Sequence, residues 1–306
     1  MKIVLITGGS GAIGSALVPR FLDEPGTSVR LLLRADSEDH LAERLARLLR
    51  YWETPPDPKR IEVLRCDLHE PRLGLSAEKY QQLAAEITHC VHAAGNVKLN
   101  ERLETALEDA VGGTARVLDL IDSARHRGVF RKLEYVSTIG VAGRLSGRVP
   151  EARLEQPRTF HNTYEEAKAR AESLVLERMR AGLPASVHRP SMVVGDSATG
   201  KIIHFQVFYY LCEFLAGLVT AGRVPEADAS SLDIIPCDYV ARAIQVSSES
   251  EDGIGRIFHL CSGPDLAVPI SELTQFLRRT FGDFGVELPV LRPLPAARLA
   301  RLLPRI

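Results

Sequence analysis

The chain lacks most of what would mark a protein for a special environment. Its net charge is −1 over 306 residues. With neither sign in excess, no polyanion partner is expected, and nucleic acid is set aside as a ligand. The five cysteines, Cys66, Cys90, Cys212, Cys237 and Cys261, lie far apart without a CxxC pair. That spacing offers no metal-ligand pattern, so no metal is expected, and a disulfide framework is out of place in a chain this long. Long hydrophobic runs are missing too. The longest, residues 205–221, contains Gln206 and Glu213 and falls short of the ~20 residues a membrane span needs. The leading "MKIVLITGG" runs into glycine before it could form a signal-peptide core. Internal repeats and low-complexity tracts are absent as well. What remains is the expectation of a cytoplasmic globular protein with no transmembrane segment, which 25% charged and 45% hydrophobic residues suit.

Glycine, by contrast, is concentrated. Residues 7–14 read "TGGSGAIG", four glycines in eight residues directly behind the apolar run Ile3-Val4-Leu5-Ile6. They satisfy two overlapping patterns, Gly8-x-x-Gly11-x-x-Gly14 and Gly9-x-Gly11-x-x-Gly14. A tight strand-to-helix turn would use some of these glycines on structural grounds alone. The flanks favour more: a short strand precedes, and "AIGSALVPRFLDE" follows as an amphipathic helix. A glycine loop in that position aims free N–H groups at an anion, and a dinucleotide pyrophosphate is the natural guest. Ser10, Ala12 and Ile13 within the loop are counted with the glycines as cofactor-binding.

Short β-branched runs then alternate with helical patterns: 2–7, 28–33, 61–66, 88–94 and 132–137 as strands, with helices between them. This rhythm implies an α/β fold of the doubly wound, Rossmann type, a parallel sheet covered on both faces. Residues 140–163 read as a loop, a helix starts near Tyr164, and 185–190 is one more strand. From about residue 196 helices predominate, with two short strands. The expected organisation is a nucleotide-binding domain over 1–195 and a smaller, mainly helical substrate lobe over 196–306, the two interleaved.

Parallel sheets bind ligands at the C-terminal ends of their strands, so polar residues just past each strand are the candidates. Twenty residues beyond Gly14 stands Arg34, where arginine accommodates a 2′-phosphate and an acid takes a free ribose. This favours NADP(H). Asp36 competes for the ribose, although Asp36 or Ser37 would also cap the following helix. In "TYEEAK", Tyr164 and Lys168 are four apart and share a helical face. A cation beside the phenol and the helix N-terminus both favour phenolate, which would suit Tyr164 to proton transfer near neutral pH. In "YVSTIGVAG", either Ser137 or Thr138 would polarise a carbonyl oxygen at the sheet edge, unless each only satisfies local backbone.

Together these residues resemble the extended short-chain dehydrogenase/reductase superfamily, over nearly the whole chain. The TGxxGxxG loop is matched by Thr7, Gly8, Gly11 and Gly14, and the catalytic triad by Thr138, Tyr164 and Lys168. The resemblance further implies that Asp67 and Leu68 meet the adenine. It puts Ala93, Ala94 and Gly95 in a cofactor-facing turn. Pro190, Ser191 and Val193 in "RPSMVVG" then lie along the nicotinamide. Within that group, residues 62–100 and "RPSMVVGDSATGKI" are similar to thioester reductase domains and the related fatty acyl-CoA reductases. One departure is Ala110, where relatives usually carry Asn in the helix after strand four.

The resemblance implies NADPH-dependent reduction of an acyl thioester, on coenzyme A or a carrier protein, to an aldehyde, with the onward step to the alcohol left open. Asn96 and Val97 would face the carbonyl carbon, with Gly140, His204 and Phe205 also on the substrate side. Segment 204–221 would take the acyl chain or serve as plain core. A homodimer is carried as one option for assembly. Two other functions share the motifs: a sugar-nucleotide epimerase/dehydratase or hydroxysteroid-type dehydrogenase, and an NADP(H)-sensing binding protein. The closing "RPLPAARLARLLPRI" is basic and amphipathic, suited to a carrier's acidic face, a membrane surface or a packed terminal helix.

Overall fold

The computed structural model describes residues 1–53, 56–226, 230–295, 298, 299 and 301. Most of the closing basic segment's last turn therefore lies outside the described residues. In chain order the strands and α-helices begin with β1 (Lys2–Thr7), α1 (Ala12–Asp23), β2 (Thr27–Arg34), α2 (Glu38–Trp52) and β3 (Ile61–Cys66). They continue with α3 (Ala77–Glu86), β4 (His89–His92), α4 (Leu103–Leu107), α5 (Gly113–His126), β5 (Lys132–Val136) and α6 (Thr163–Arg180). Then come β6 (Ala185–Pro190), β7 (Met192–Val194), α7 (Val207–Leu215), β8 (Arg223–Pro225), β9 (Ser231–Leu232) and β10 (Ile234–Pro236). The last are α8 (Cys237–Glu249), β11 (Ile257–Leu260), β12 (Val268–Pro269), α9 (Ile270–Asp283) and β13 (Arg292–Leu294).

Two compact units are built from these elements: residues 1–191, 195–203 and 236–260 form one, and 192–194, 204–235 and 261–306 the other. The first holds a seven-stranded sheet in the order β11-β6-β5-β4-β1-β2-β3, parallel throughout. The order reverses beside β1, where doubly wound sheets open a crevice for ligands. Alternation along the strands assigns the faces. Leu133, Tyr135, Ala185 and Val187 pack with Val117, Ile121 and Val175 of α5 and α6 in one apolar core. The other face of β5 and β6 is polar under α8: His188 Nε2 and Glu134 Oε2 are 2.6 Å apart, and Lys132 Nζ lies 3.1 Å from Glu134 Oε1, all buried.

Helix α1 contains Pro19, which has no N–H for the carbonyl of Ser15 one turn back. The Trp52 indole N–H donates to that oxygen at 2.7 Å. Between α4 and α5 the chain takes a π-helical turn, Glu108–Gly112, which includes Ala110. The sequence pattern reads this whole stretch as one helix, since an inserted residue shifts periodicity too briefly to register.

Among its described residues the second unit contains α7, α9 and three two-stranded sheets, β10-β7, β12-β9 and β13-β8. Beyond residue 196 the described residues hold six strands, β8 to β13, where the sequence suggested two. Runs of two to four residues carry no readable period. Among the described residues no helix is long and apolar enough to cross a membrane.

Candidate active site

The glycine loop is shaped by close backbone approach. Gly8 has φ +74°, and a Cβ there would lie 2.5 Å from the Ala94 nitrogen in the turn after β4. A Cβ on Gly14 would lie 2.3 Å from the Gly8 oxygen, so α1 can pack onto the loop only with glycine there. Gly11 donates its N–H to the Gly8 carbonyl at 2.9 Å and then caps α1 with no side-chain oxygen. The first turn of α1 carries no acid either. Its free N–H groups and positive dipole end are therefore uncompensated by the protein, a cradle that fits a pyrophosphate. Ser10, Ala12 and Ile13 lie at this junction.

Arg34 is exposed where β2 ends. Ser37, not Asp36, caps α2, accepting from the His40 N–H at 3.1 Å. The Asp36 side chain is 95% exposed. Arg44, which the sequence reading missed, projects from α2 to donate to Ser10 Oγ at 2.5 Å. Burial and the neighbouring charges of Arg34 and Arg47 push its pKa down. Guanidiniums crowded in this way favour an anion among them. Only its place on α2 distinguishes Arg44 from the other arginines of that helix, and that place needed the fold.

Asp67 accepts from the His69 N–H at 2.9 Å and pairs with His69 Nδ1 at 2.8 Å. Burial opposes its charge, but these bonds hold its carboxyl below the usual range. Leu68 gives its carbonyl to Arg116 at 3.1 Å. His69 Nε2 continues to Asp109 Oδ1 at 2.5 Å, and Asn96 Nδ2 donates to Asp109 Oδ2 at 2.7 Å. The Asn96 side chain thus braces its own turn, accepting also from the Lys98 N–H at 3.0 Å. In the same turn, the Ala93 N–H donates to the Thr7 carbonyl and the Ala94 N–H to Thr7 Oγ1, each at 3.3 Å. Gly95 and Val97 are exposed.

Neighbouring hydroxyls after β5 divide their work. Ser137 Oγ donates to Glu172 at 2.6 Å and is buried. Thr138 Oγ1 accepts from the Gly140 N–H at 3.1 Å and shares a hydrogen bond with the half-buried Tyr164 phenol. Of the two hydroxyls, Thr138 is the one set beside Tyr164. Asn162 caps α6, and Thr163 Oγ1 donates to the Leu99 and Glu101 carbonyls at 3.1 and 2.8 Å, fastening the helix start to the turn after β4.

The expected pull toward phenolate is reversed. Burial pushes the Tyr164 phenol up to about 12, with Glu165 adding to the rise against the Thr138 bond. Lys168 supplies no offset because its ammonium turns to the Val136 carbonyl at 2.8 Å and the Tyr135 hydroxyl at 3.3 Å. Burial brings Lys168 itself down to about 8. Tyr164 is accordingly a protonated donor across the ordinary pH range.

Pro190 ends β6, and Ser191 follows with a buried Oγ that has no hydrogen-bond partner among the described residues. An orphaned hydroxyl at a strand's C-terminal end also fits a bound cofactor. Val193, His204 and Phe205 belong to the second unit, where the Phe205 ring is 70% exposed and lies 4.6 Å from Tyr209.

A glycine cradle at the switch point, a cluster of arginines past β2 and a Thr–Tyr pair beside a buried lysine define an NAD(P)-binding oxidoreductase domain of the extended short-chain type. The family model for the male sterility protein matches residues 6–244. The terminal R domain from the myxalamid PKS-NRPS biosynthetic pathway superposes with a TM-score of 0.80 at 30% identity, over 99% of this chain and 74% of that one. One linear gramicidin synthase subunit, from Brevibacillus parabrevis, is 28% identical over 266 residues, 85% of this chain but 5% of that protein. Glycine betaine reductase ATRR of Emericella nidulans is 30% identical over 257 residues, 79% of this chain and 19% of its own. The chain thus spans a small part of these curated relatives, and it belongs to the male sterility protein family.

Proposed function

We propose that this domain reduces an acyl thioester, held on a carrier protein or coenzyme A, to an aldehyde with NADPH. The observation that carries the reading is the Thr138–Tyr164 pair, a hydroxyl and a protonated phenol joined at the end of β5 within a reductase family. NADPH, when bound, supplies the hydride. The residues to hold it are the loop 7–14, Arg34 with Arg44 for a 2′-phosphate, Asp67 with Leu68, Ala93 to Gly95, Lys168, Pro190 and Ser191. The three crowded guanidiniums support NADPH over NADH, since the 2′-phosphate is the charge that distinguishes the two.

Thr138 Oγ1 and Tyr164 Oη would donate to the thioester carbonyl oxygen as negative charge develops there. Tyr164 gives up its phenolic proton to that oxygen and takes it back as the hemithioacetal collapses, when the C–S bond breaks and the departing thiolate takes a proton from water. Asn96 and Val97, with Gly140, shape the carbonyl end. Taken by itself, the second unit carries the aromatic helix α7 with Phe205, an apolar surface of the kind an acyl chain takes.

The test couples two readouts, NADPH absorbance and a thiol-reactive dye, across acyl-CoA and acyl-carrier substrates. Thiol should appear in step with NADPH loss. Tyr164→Phe should cut turnover by roughly 10²–10⁴-fold while NADPH affinity stays put. Brisk ketone reduction or alcohol oxidation with no thiol from any thioester would overturn the reading in favour of a dehydrogenase or epimerase.

A further inference from the structure

Three adjacent strands carry polar side chains at one level of the sheet. Thr7 on β1 is in register with His92 on β4, and His92 with Tyr135 on β5. All three are buried in a region otherwise filled by Leu, Val and Ile. Thr114 from α5 and Lys168 from α6 complete the set, and none of the five is more than 6% exposed. Polar groups this deep persist only where each is satisfied by the next.

The bonds form one continuous chain. Lys168 Nζ donates to the Tyr135 hydroxyl at 3.3 Å, and Tyr135 is bonded to Thr114. Thr114 Oγ1 is 3.1 Å from His92 Nε2, and His92 Nδ1 is 2.7 Å from Thr7 Oγ1. An ammonium has only donors, so Tyr135 accepts from Lys168. A neutral His92 ring holds one donor and one acceptor nitrogen, and Thr114 and Thr7 take one each. Burial, with the Lys168 charge adding to it, pushes the His92 pKa down to about 3, which keeps the ring neutral.

We propose that Tyr135, Thr114 and His92 are positioning residues for Lys168, a hydrogen-bond chain that ties its ammonium to the Thr7 hydroxyl at the foot of the glycine loop. The cofactor cradle and the lysine of the reaction site are then parts of a single buried polar unit. Two of the three ammonium hydrogens are spent on Val136 and Tyr135, which fixes the direction of the remaining one. The chain also steadies the charge. The groups facing Lys168 are Glu172 on its own helix, Tyr135 on β5 and the neutral His92 on β4. Glu172 is itself held by Arg189 and Ser137, so the Tyr135 hydroxyl is the acceptor a substitution can remove without unpairing a carboxylate.

For its activity arm the proposal rests on the reductase reading, and the primary measurement does not. The Lys168 amine is titrated by nitrogen-15 NMR of lysine-labelled protein without cofactor, its signal assigned by its loss in Lys168→Arg. In Tyr135→Phe the titration should move down by about one pH unit. Thr114→Val, near-isosteric, should move it the same way by less, and Thr114→Ser should restore it. Because Thr114 acts only through Tyr135, the double variant should match Tyr135→Phe alone. The alkaline limb of NADPH oxidation should shift by the same amount. An unmoved Lys168 titration in folded Tyr135→Phe, or additive shifts in the double variant, would overturn the chain. A shifted titration in a protein that reduces no thioester would keep the chain and remove the reductase reading.

Discussion

The Ser137 hydroxyl donates to Glu172 Oε2 at 2.6 Å, on a carboxylate that Arg189 also grips through Nη2 at 2.6 Å and Nε at 3.0 Å. All three side chains are buried. Ser137 is thereby committed to the scaffold, whereas Thr138 is bonded to Tyr164. Ser137→Ala should cost roughly 1.5–3 kcal/mol in urea denaturation, the range for a hydrogen bond to a charged partner, with turnover of the folded protein little changed. Thr138→Ala should do the opposite, losing turnover by roughly 10²-fold with a smaller loss of stability. A reversed pattern would exchange the two roles.

Arg34 and Arg44 should act together on cofactor choice. Removing either guanidinium, as Arg34→Ala or Arg44→Ala, should raise the Kd for NADPH about ten- to a hundredfold, the worth of a charge-assisted contact of roughly 1.5–3 kcal/mol. The Kd for NADH should hardly move. Titration calorimetry reads both, and equal wild-type affinity for the two cofactors would count against the basic cluster.

Trp52 should stabilise α1 through one hydrogen bond. Its indole satisfies the Ser15 carbonyl that Pro19 cannot reach. Trp52→Phe should therefore cost about 1–3 kcal/mol, the penalty for leaving a part-buried acceptor unpaired. Pro19→Ala restores a backbone N–H at that place, so in its background the Trp52→Phe cost should shrink. Equal costs in both backgrounds, measured by denaturant melts, would mean that Trp52 acts through packing alone.

His92 should make the fold acid-sensitive. Its folded pKa, about 3, lies below the unfolded value near 6.5. Between those values the unfolded chain binds the extra proton, so stability is full above pH 6.5 and falls as pH falls toward 3. By pH 5 the loss from this residue should be on the order of 2 kcal/mol. His92→Gln, which has no titrating group, should be less stable at pH 8 yet show a flatter decline. A wild-type melt indifferent to pH between 8 and 5 would contradict the buried neutral ring.

Much of this molecule is local in origin and therefore readable along the chain. The glycine loop, the strand-helix alternation and the Tyr164–Lys168 spacing are relations over a few residues, governed by backbone sterics and a period of two or 3.6. They determined the α/β class, the parallel sheet and the tight glycine turn into α1. The tertiary structure decided what sequence-distant groups do to one another. Nothing in "YVST" says that Ser137 faces Glu172 while Thr138 faces Tyr164. That follows from the extended backbone just past β5, which sends neighbouring side chains to opposite sides. Arg44 gained meaning only once α2 lay beside Ser10. The Tyr164 phenol rose instead of falling because burial and the turn of Lys168 toward β5 outweigh a spacing that brings the two residues onto one helical face. Desolvation depends on everything packed around a group, and a linear sequence does not contain that sum.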